Sequence, residues 1–364
     1  MNLEKSCVMH CVRAVAACTA MLLAAQLLWA QETKEKVTVD GVDRSFMLRL
    51  PKGYDSQRHY PVVVLLHGMH LDADDMERLT RFDELADQDG VIAVYPLALH
   101  GRWNVGVQPE ERSPMAMGPG RHRRYGGGYP GGGGGGRYPG GGGGSPGDGD
   151  PSGRQPESTR RASPADDVGF FTQMLDELGT KFSIDSSRIY VTGLSEGGLM
   201  SMRLGCALSD RIAAVATVGA AMPKTMICVP SRPVPMMMIE GTSDPVVPYN
   251  GGTEHNLNLR VMSAEDSAKA WARIDRCAEK PEKSKLPAKG KGGMETKVDT
   301  YGGCQKSASV VLYSVKGGGN TWPGGEQYEP EQSVGKTSED LSANTTIWSF
   351  LVTQRLPEQR AEAK

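Results

Sequence analysis

Gly193-Leu194-Ser195-Glu196-Gly197, followed by Gly198, decides the reading of this chain. It fits G-x-S-x-G, in which a serine sits on a sharp turn between a strand and a helix. Glycine is needed there because the backbone turns tightly and a neighbouring segment passes close by. The flanks agree. Arg188-Ile189-Tyr190-Val191-Thr192 reads as a short buried strand, and Leu199 to Leu208 as a helix with an apolar face. A structural glycine turn is the plainer alternative.

Working outward, apolar runs alternate with helical periodicity. Val37–Asp43 reads as a hairpin with an Asp40-Gly41 turn, continuing into Phe46–Leu50. Pro61–Leu66 is a continuous apolar run suited to a buried parallel strand. A helix over 75–87 and a strand over 91–95 follow. Val168, Phe171, Met174, Leu175, Leu178 and Phe182 recur at helical spacing. Beyond the serine come strands at 212–218 and 235–239, a helix over 264–277, a strand over 309–315 and a closing helix over 338–354. This order implies an α/β fold with a mostly parallel central sheet flanked by helices.

The chain has 364 residues and a formal net charge of −2, which suggests no nucleic-acid partner. Residues 1–30 read as a signal peptide. Lys5 and Arg13 precede an uncharged apolar run, Ala14–Trp29, and Ala30 suits a cleavage site. An uncleaved anchor is the alternative. A lipid anchor at Cys18 is a weaker one, because the apolar run mostly follows that cysteine. Once the signal is cleaved, no membrane contact is expected and the protein is secreted. The mature chain keeps Cys206, Cys228, Cys277 and Cys304. An even number in an oxidising compartment suggests two disulfides. Three pairings are possible. Cys206–Cys228 with Cys277–Cys304 closes the shortest loops and is expected. No C-x-x-C spacing supports a metal site, and no cofactor is implied.

A single domain is expected over 31–354, with a C-terminal tail at 355–364 and a disordered insert at about 112–164. Residues 118–153 hold 19 of the 46 glycines. Such composition buries too little apolar surface to offset its ordering entropy. It reads as a tolerated insertion or, alternatively, a mildly basic tether for an anionic or aromatic polymer. The lysine-rich residues 279–300 read as a solvated loop.

Three further stretches carry chemistry. Leu66-His67-Gly68-Met69 follows a core strand. In hydrolases with a serine elbow such a loop gives one backbone N–H to an oxyanion hole, here from Met69; the other comes from the residue after the serine, Glu196. Asp244, in Gly241-Thr242-Ser243-Asp244-Pro245, falls at the carboxyl end of a strand, where ligand sites lie in open α/β sheets. The order serine then aspartate matches α/β-hydrolases. A turn aspartate is the alternative. Trp103 and Trp322 are candidate apolar walls for a bound ligand, or ordinary core residues.

On these residues the sequence resembles the secreted esterases grouped with polyhydroxybutyrate depolymerases and feruloyl esterases. The matching stretches are Val62–Gly68 (VVVLLHG), Arg102-Trp103-Asn104, Asp166-Asp167-Val168-Gly169-Phe170, Gly193–Gly198 (GLSEGG), Gly241–Gly252 (GTSDPVVPYNGG) and Gly317–Gly325 (GGGNTWPGG). The resemblance implies an α/β-hydrolase fold, ester or polyester substrates, Ser195 as nucleophile, Asp244 as acid and the two local disulfides. It fails at one position. The family has its catalytic histidine where this chain has Asn320. Serine is a poor nucleophile without a base, and an amide is not basic near neutral pH. No histidine lies beyond His255. His70 and His255 are candidate substitute bases, while His67 is expected to order its own loop. Two readings follow: a serine esterase with a weakened or rearranged triad, or a pseudo-esterase that binds a polymer or ester without turnover.

Overall fold

The computed structural model describes residues 31–107, 165–290 and 292–357. The expected signal peptide, the glycine-rich insert and residues 358–364 of the expected tail lie outside the described residues.

Ten strands form one sheet: β1 (Gln31–Val39), β2 (Val42–Leu50), β3 (Tyr60–Leu66), β4 (Ile92–Pro96), β5 (Ile184–Leu194), β6 (Ala214–Val218), β7 (Met236–Gly241), β10 (Glu282–Leu286), β11 (Thr296–Tyr301) and β12 (Val310–Val315). Strands β8 (Gly252–Glu254) and β9 (Leu259–Val261) make a separate small hairpin. The spatial order is β1-β2-β4-β3-β5-β6-β7-β12-β11-β10. From β4 to β12 all neighbours are parallel, while β1–β2, β2–β4, β12–β11 and β11–β10 are antiparallel. This is the mostly parallel sheet of an α/β-hydrolase, with antiparallel margins. Between β1 and β2, Asp40 and Gly41 both take positive φ, as a two-residue hairpin of this hand requires.

The helices are α1 (Ala73–Thr80), α2 (Phe82–Asp89), α3 (Asp167–Lys181), α4 (Glu196–Ala207), α5 (Ala264–Ile274), the short α6 (Glu331–Val334) and α7 (Ala343–Leu351). Side chains along a strand alternate between faces. On β3, Val62, Val64 and Leu66 join the core under α3, α4 and α5, while Val63 and Leu65 join the core under α1, α2 and α7. Every residue of β3 is therefore buried. Such a strand reads as unbroken hydrophobicity because both of its faces are covered.

Three expectations need correction. The helix expected over 75–87 is two helices, because Arg81 sits at φ 49° and closes α1 through its N–H to Glu77 O. The helix expected over 338–354 is shorter, opening at an Ser342 cap. The lysine-rich stretch 279–300 is not simply a loop. It contains β10 and leads into β11. Every residue of β10 is exposed, so no apolar alternation marked it as a strand.

The structure pairs Cys206 with Cys228 and Cys277 with Cys304. The first bridge ties the end of α4 to the connection between β6 and β7. Among the described residues, no helix is long and apolar enough to cross a membrane.

Candidate active site

Ser195 stands between β5 and α4 at φ 55°, ψ −117°. A non-glycine residue in that region costs about 1–3 kcal/mol and persists only where its surroundings fix it. Here they do. Ser195 N donates to Val218 O at 2.9 Å, and its carbonyl accepts from Leu199 N at 3.0 Å. A Cβ on Gly197 would lie 2.2 Å from Leu66 O. The elbow is thus wedged against the end of β3, and only glycine fits.

Asp244 follows β7 and is 8% exposed. Its loop is tied to the end of β12 by Thr242 N to Val315 O and to the chain after it by Ser243 N to Gly318 O, each 2.9 Å. Oδ1 accepts from Val246 N (2.7 Å) and Val247 N (2.8 Å). Oδ2 accepts from Asn320 Nδ2 at 2.7 Å. Burial pushes the Asp244 carboxyl up to about 7, against the pull of these three donors.

Asn320 is 1% exposed. Its Nδ2 also donates to Gly219 O at 3.0 Å. A backbone carbonyl only accepts, so the amide orientation is fixed by that partner. The other end, Oδ1, is buried without a hydrogen bond. Gly219 is at φ 60°, and a Cβ there would lie 2.7 Å from Asn320 Nδ2. Ser195 and Asn320 therefore bond to consecutive carbonyls, Val218 O and Gly219 O. The three expected residues are brought together at the carboxyl ends of β5, β6, β7 and β12.

The loop after β3 lies over the elbow: a Cβ on Gly68 would sit 3.5 Å from Ser195 Cβ. His67 is fully buried. Its Nδ1 bonds Gly68 O at 2.8 Å, and its Nε2 accepts from Ala98 N at 3.1 Å. These partners define a neutral ring protonated at Nδ1, and burial lowers its pKa. His67 orders its own loop. His70 is exposed at φ 64°, and His255 is exposed with its amide on Val246 O. Among the described residues, no histidine hydrogen-bonds to Ser195, Asp244 or Asn320. Met69 follows Gly68 and is half-buried. Glu196 opens α4, where backbone N–H groups have no partner within the helix.

Neither tryptophan offers a face to a ligand. Trp103 is 3% exposed, with its ring 5.1 Å from His67 and 5.6 Å from Phe171. Trp322 is wholly buried and donates to Asn344 Oδ1 at 2.8 Å. Core packing, the plainer alternative, is what the structure shows for both.

Among the buried carboxyls that escaped the sequence reading, two stand beside the elbow and the Asp244 loop. Glu196 was singled out only for its backbone, yet its side chain is 2% exposed and neither oxygen has a hydrogen bond of normal geometry. Burial pushes it up to about 7, with Arg102 and the backbone N–H of Trp103 pulling the other way. Glu240, at 3% exposure, accepts from Ala220 N at 3.2 Å. Burial pushes it well above the usual range, and the nearby Asp244 charge adds to that. Its signal was present: a lone acid in the apolar run Met236–Gly241.

The sheet order and the serine turn are those of an α/β-hydrolase fold. A family model described as phospholipase/carboxylesterase matches residues 145–272. The putative esterase NocK of Nocardia uniformis subsp. tsuyamanensis is 26% identical over 335 residues, 89% of this chain and 83% of that one. Feruloyl esterase B of Piromyces equi is 34% identical over 163 residues, 43% of this chain but 29% of that enzyme. An acetyl xylan esterase structure from Aspergillus awamori superposes with a TM-score of 0.47 at 15% identity, covering 79% of this chain and 94% of that one. The chain has an α/β-hydrolase fold and is similar to esterases, feruloyl esterases among them. The polyhydroxybutyrate depolymerase part of the resemblance rests on the sequence motifs alone.

Proposed function

We propose that this protein is a secreted serine carboxylic-ester hydrolase acting slowly on an ester or polyester, with Ser195 as nucleophile and Asp244 as the acid. Met69 N and Glu196 N are the oxyanion donors, and Asn320 holds the position of the base. The observation that carries the reading is the Asn320 amide, bonded at once to Asp244 Oδ2 and to Gly219 O beside the elbow. A remnant of a triad requires that convergence, and a chance glycine turn does not. The substrate class, a hydroxycinnamoyl ester or aliphatic polyester, follows from the family resemblance and the named relatives.

Chemically, Ser195 Oγ attacks the ester carbonyl while the two N–H groups receive the developing oxyanion. Each such donor is worth about 2.7–4 kcal/mol. What is weak is proton removal. In a well-studied serine protease, deleting the histidine costs about 10⁶ in kcat. Asn320 donates both of its bonded protons and offers no basic nitrogen, which favours the second reading, a pseudo-esterase that binds without turnover.

Hydrolysis of a short-chain nitrophenyl ester separates the two. Measurable turnover abolished by Ser195→Ala supports the esterase. No wild-type turnover, with activity appearing in Asn320→His, supports the binding protein. Turnover unchanged by Ser195→Ala would defeat both.

A further inference from the structure

Residues 102–104 run as a strap across both halves of the proposed oxyanion hole. Trp103 Nε1 donates to His67 O at 2.9 Å, gripping the loop that carries Gly68 and Met69. Arg102 Nε lies 3.8 Å from Glu196 Oε1, at the start of α4. Arg203, further along α4, donates to Asn104 O. The strap is itself anchored. Asn104 N donates to Asp167 Oδ2 at 2.6 Å, and Asp167 Oδ1 is paired with Arg44 at 2.6 Å. Asp167 is 0% exposed and Arg44 3%. A buried ion pair holds only with good geometry and further hydrogen bonds. This one has a short contact and a further bond from Asn104 N to the carboxylate, while Arg44 Nε is buried without a hydrogen-bond partner, so the anchor is fixed at its Asp167 end.

We propose that Trp103, tied through the strap to Asp167, is a positioning residue that sets the distance between the Met69 and Glu196 donors. The inference deepens the esterase reading and rests on it. The two donors belong to segments far apart in sequence, and an oxyanion is stabilised only if both are aimed at one point. The strap is bonded to each segment and to a fixed third point, so it defines their separation. Arg102 adds a charge effect. Glu196 carries its carboxyl next to its own donor N–H, and an ionised carboxylate there opposes an oxyanion. The Arg102 guanidinium offsets that charge.

The test uses the full chain and Trp103→Phe, which keeps an aromatic ring in the core but removes the indole N–H together with the indole's second ring. Phenylboronic acid is the probe, because its boron forms a tetrahedral anion on a serine oxygen. Benzyl alcohol is the neutral comparison. Adduct affinity is expected to fall by about tenfold or more, with benzyl alcohol affinity unchanged and faster amide exchange at residues 67–70. Arg102→Gln, at an exposed side chain that does not threaten folding, is expected to weaken the adduct by about threefold. Wild-type adduct affinity and exchange in Trp103→Phe would overturn the proposal and leave Trp103 as a core filler. If boron NMR finds no adduct even on the wild type, the nucleophile reading falls. Exchange at 67–70 still decides whether the strap holds the loop.

Discussion

Asn320 is buried between the Asp244 carboxylate and the Gly219 carbonyl, one residue along from the carbonyl that holds Ser195 N. Its amide bonds Asp244 as a ring N–H would, but its remaining acceptor, Oδ1, is an amide oxygen and not a base that could take the proton of Ser195. Asn320→His is therefore expected to raise kcat on a nitrophenyl ester by about 10³-fold or more, with KM little changed. Steady-state kinetics of the two proteins check this. A second residue-scale prediction concerns pH. Asp244 and Glu196 both titrate at about 7 in the fold, against ordinary values of 3.8 and 4.5. The folded state thus holds these protons more tightly than the unfolded chain. The stability they contribute is fully present below about pH 4, is lost as pH rises toward 7, and is level above. Melting temperature should fall across that window. Glu196→Gln should flatten part of the slope and melt higher than wild type at pH 8. A wild-type curve that rises from pH 4 to 7, with no difference in the variant, would refute this assignment.

Among the elements, the strand–elbow–helix unit tolerates least change. A methyl on Gly197 would lie 2.2 Å from Leu66 O, a backbone atom that cannot swing away. Gly197→Ala is expected to cost upwards of about 3 kcal/mol in denaturant unfolding, or to prevent folding. Arg81 shows the reverse case. It is exposed and left-handed between α1 and α2, so Arg81→Gly should stabilise by about 0.5–1 kcal/mol despite losing a surface ion pair to Glu84. What the sequence revealed follows the same physics. Elements buried on two faces, such as β3 and β7, were legible because burial demands unbroken apolar runs. The break at Arg81 was not, since arginine carries no turn signal. Strand β10 was hidden because a strand without a covered face needs no pattern. At the site, Ser195, Asp244 and Asn320 could be named because motifs fix their place on the chain. The charge state of Glu196 and the grip of Trp103 on His67 O were out of reach, because both depend on segments distant in sequence.

For the molecule as a whole, the chain entering and leaving residues 108–164 is pinned at one point. Asn104 Nδ2 donates to Ala165 O at 2.8 Å, and its backbone N–H donates to Asp167, two residues further on. Replacing 108–164 with a short glycine–serine link is accordingly expected to leave melting temperature within about 3 °C. A large loss would mean that the stem does not hold without its insert. Reducing the disulfides should matter more. Cys206–Cys228 spans 22 residues, and its removal by paired serines should cost about 3 kcal/mol in urea unfolding. The far margin of the sheet has a different consequence. Strand β10 pairs only with β11, so one row of its backbone groups faces water, a template onto which another chain could add. The strand is exposed at every position, and its two lysines, Lys283 and Lys285, face acids, Asp299 and Glu295. A strand with no covered face offers an incoming chain little apolar surface to bury, so the side of the protein most open to fibril-like stacking is also the side that gains least from it.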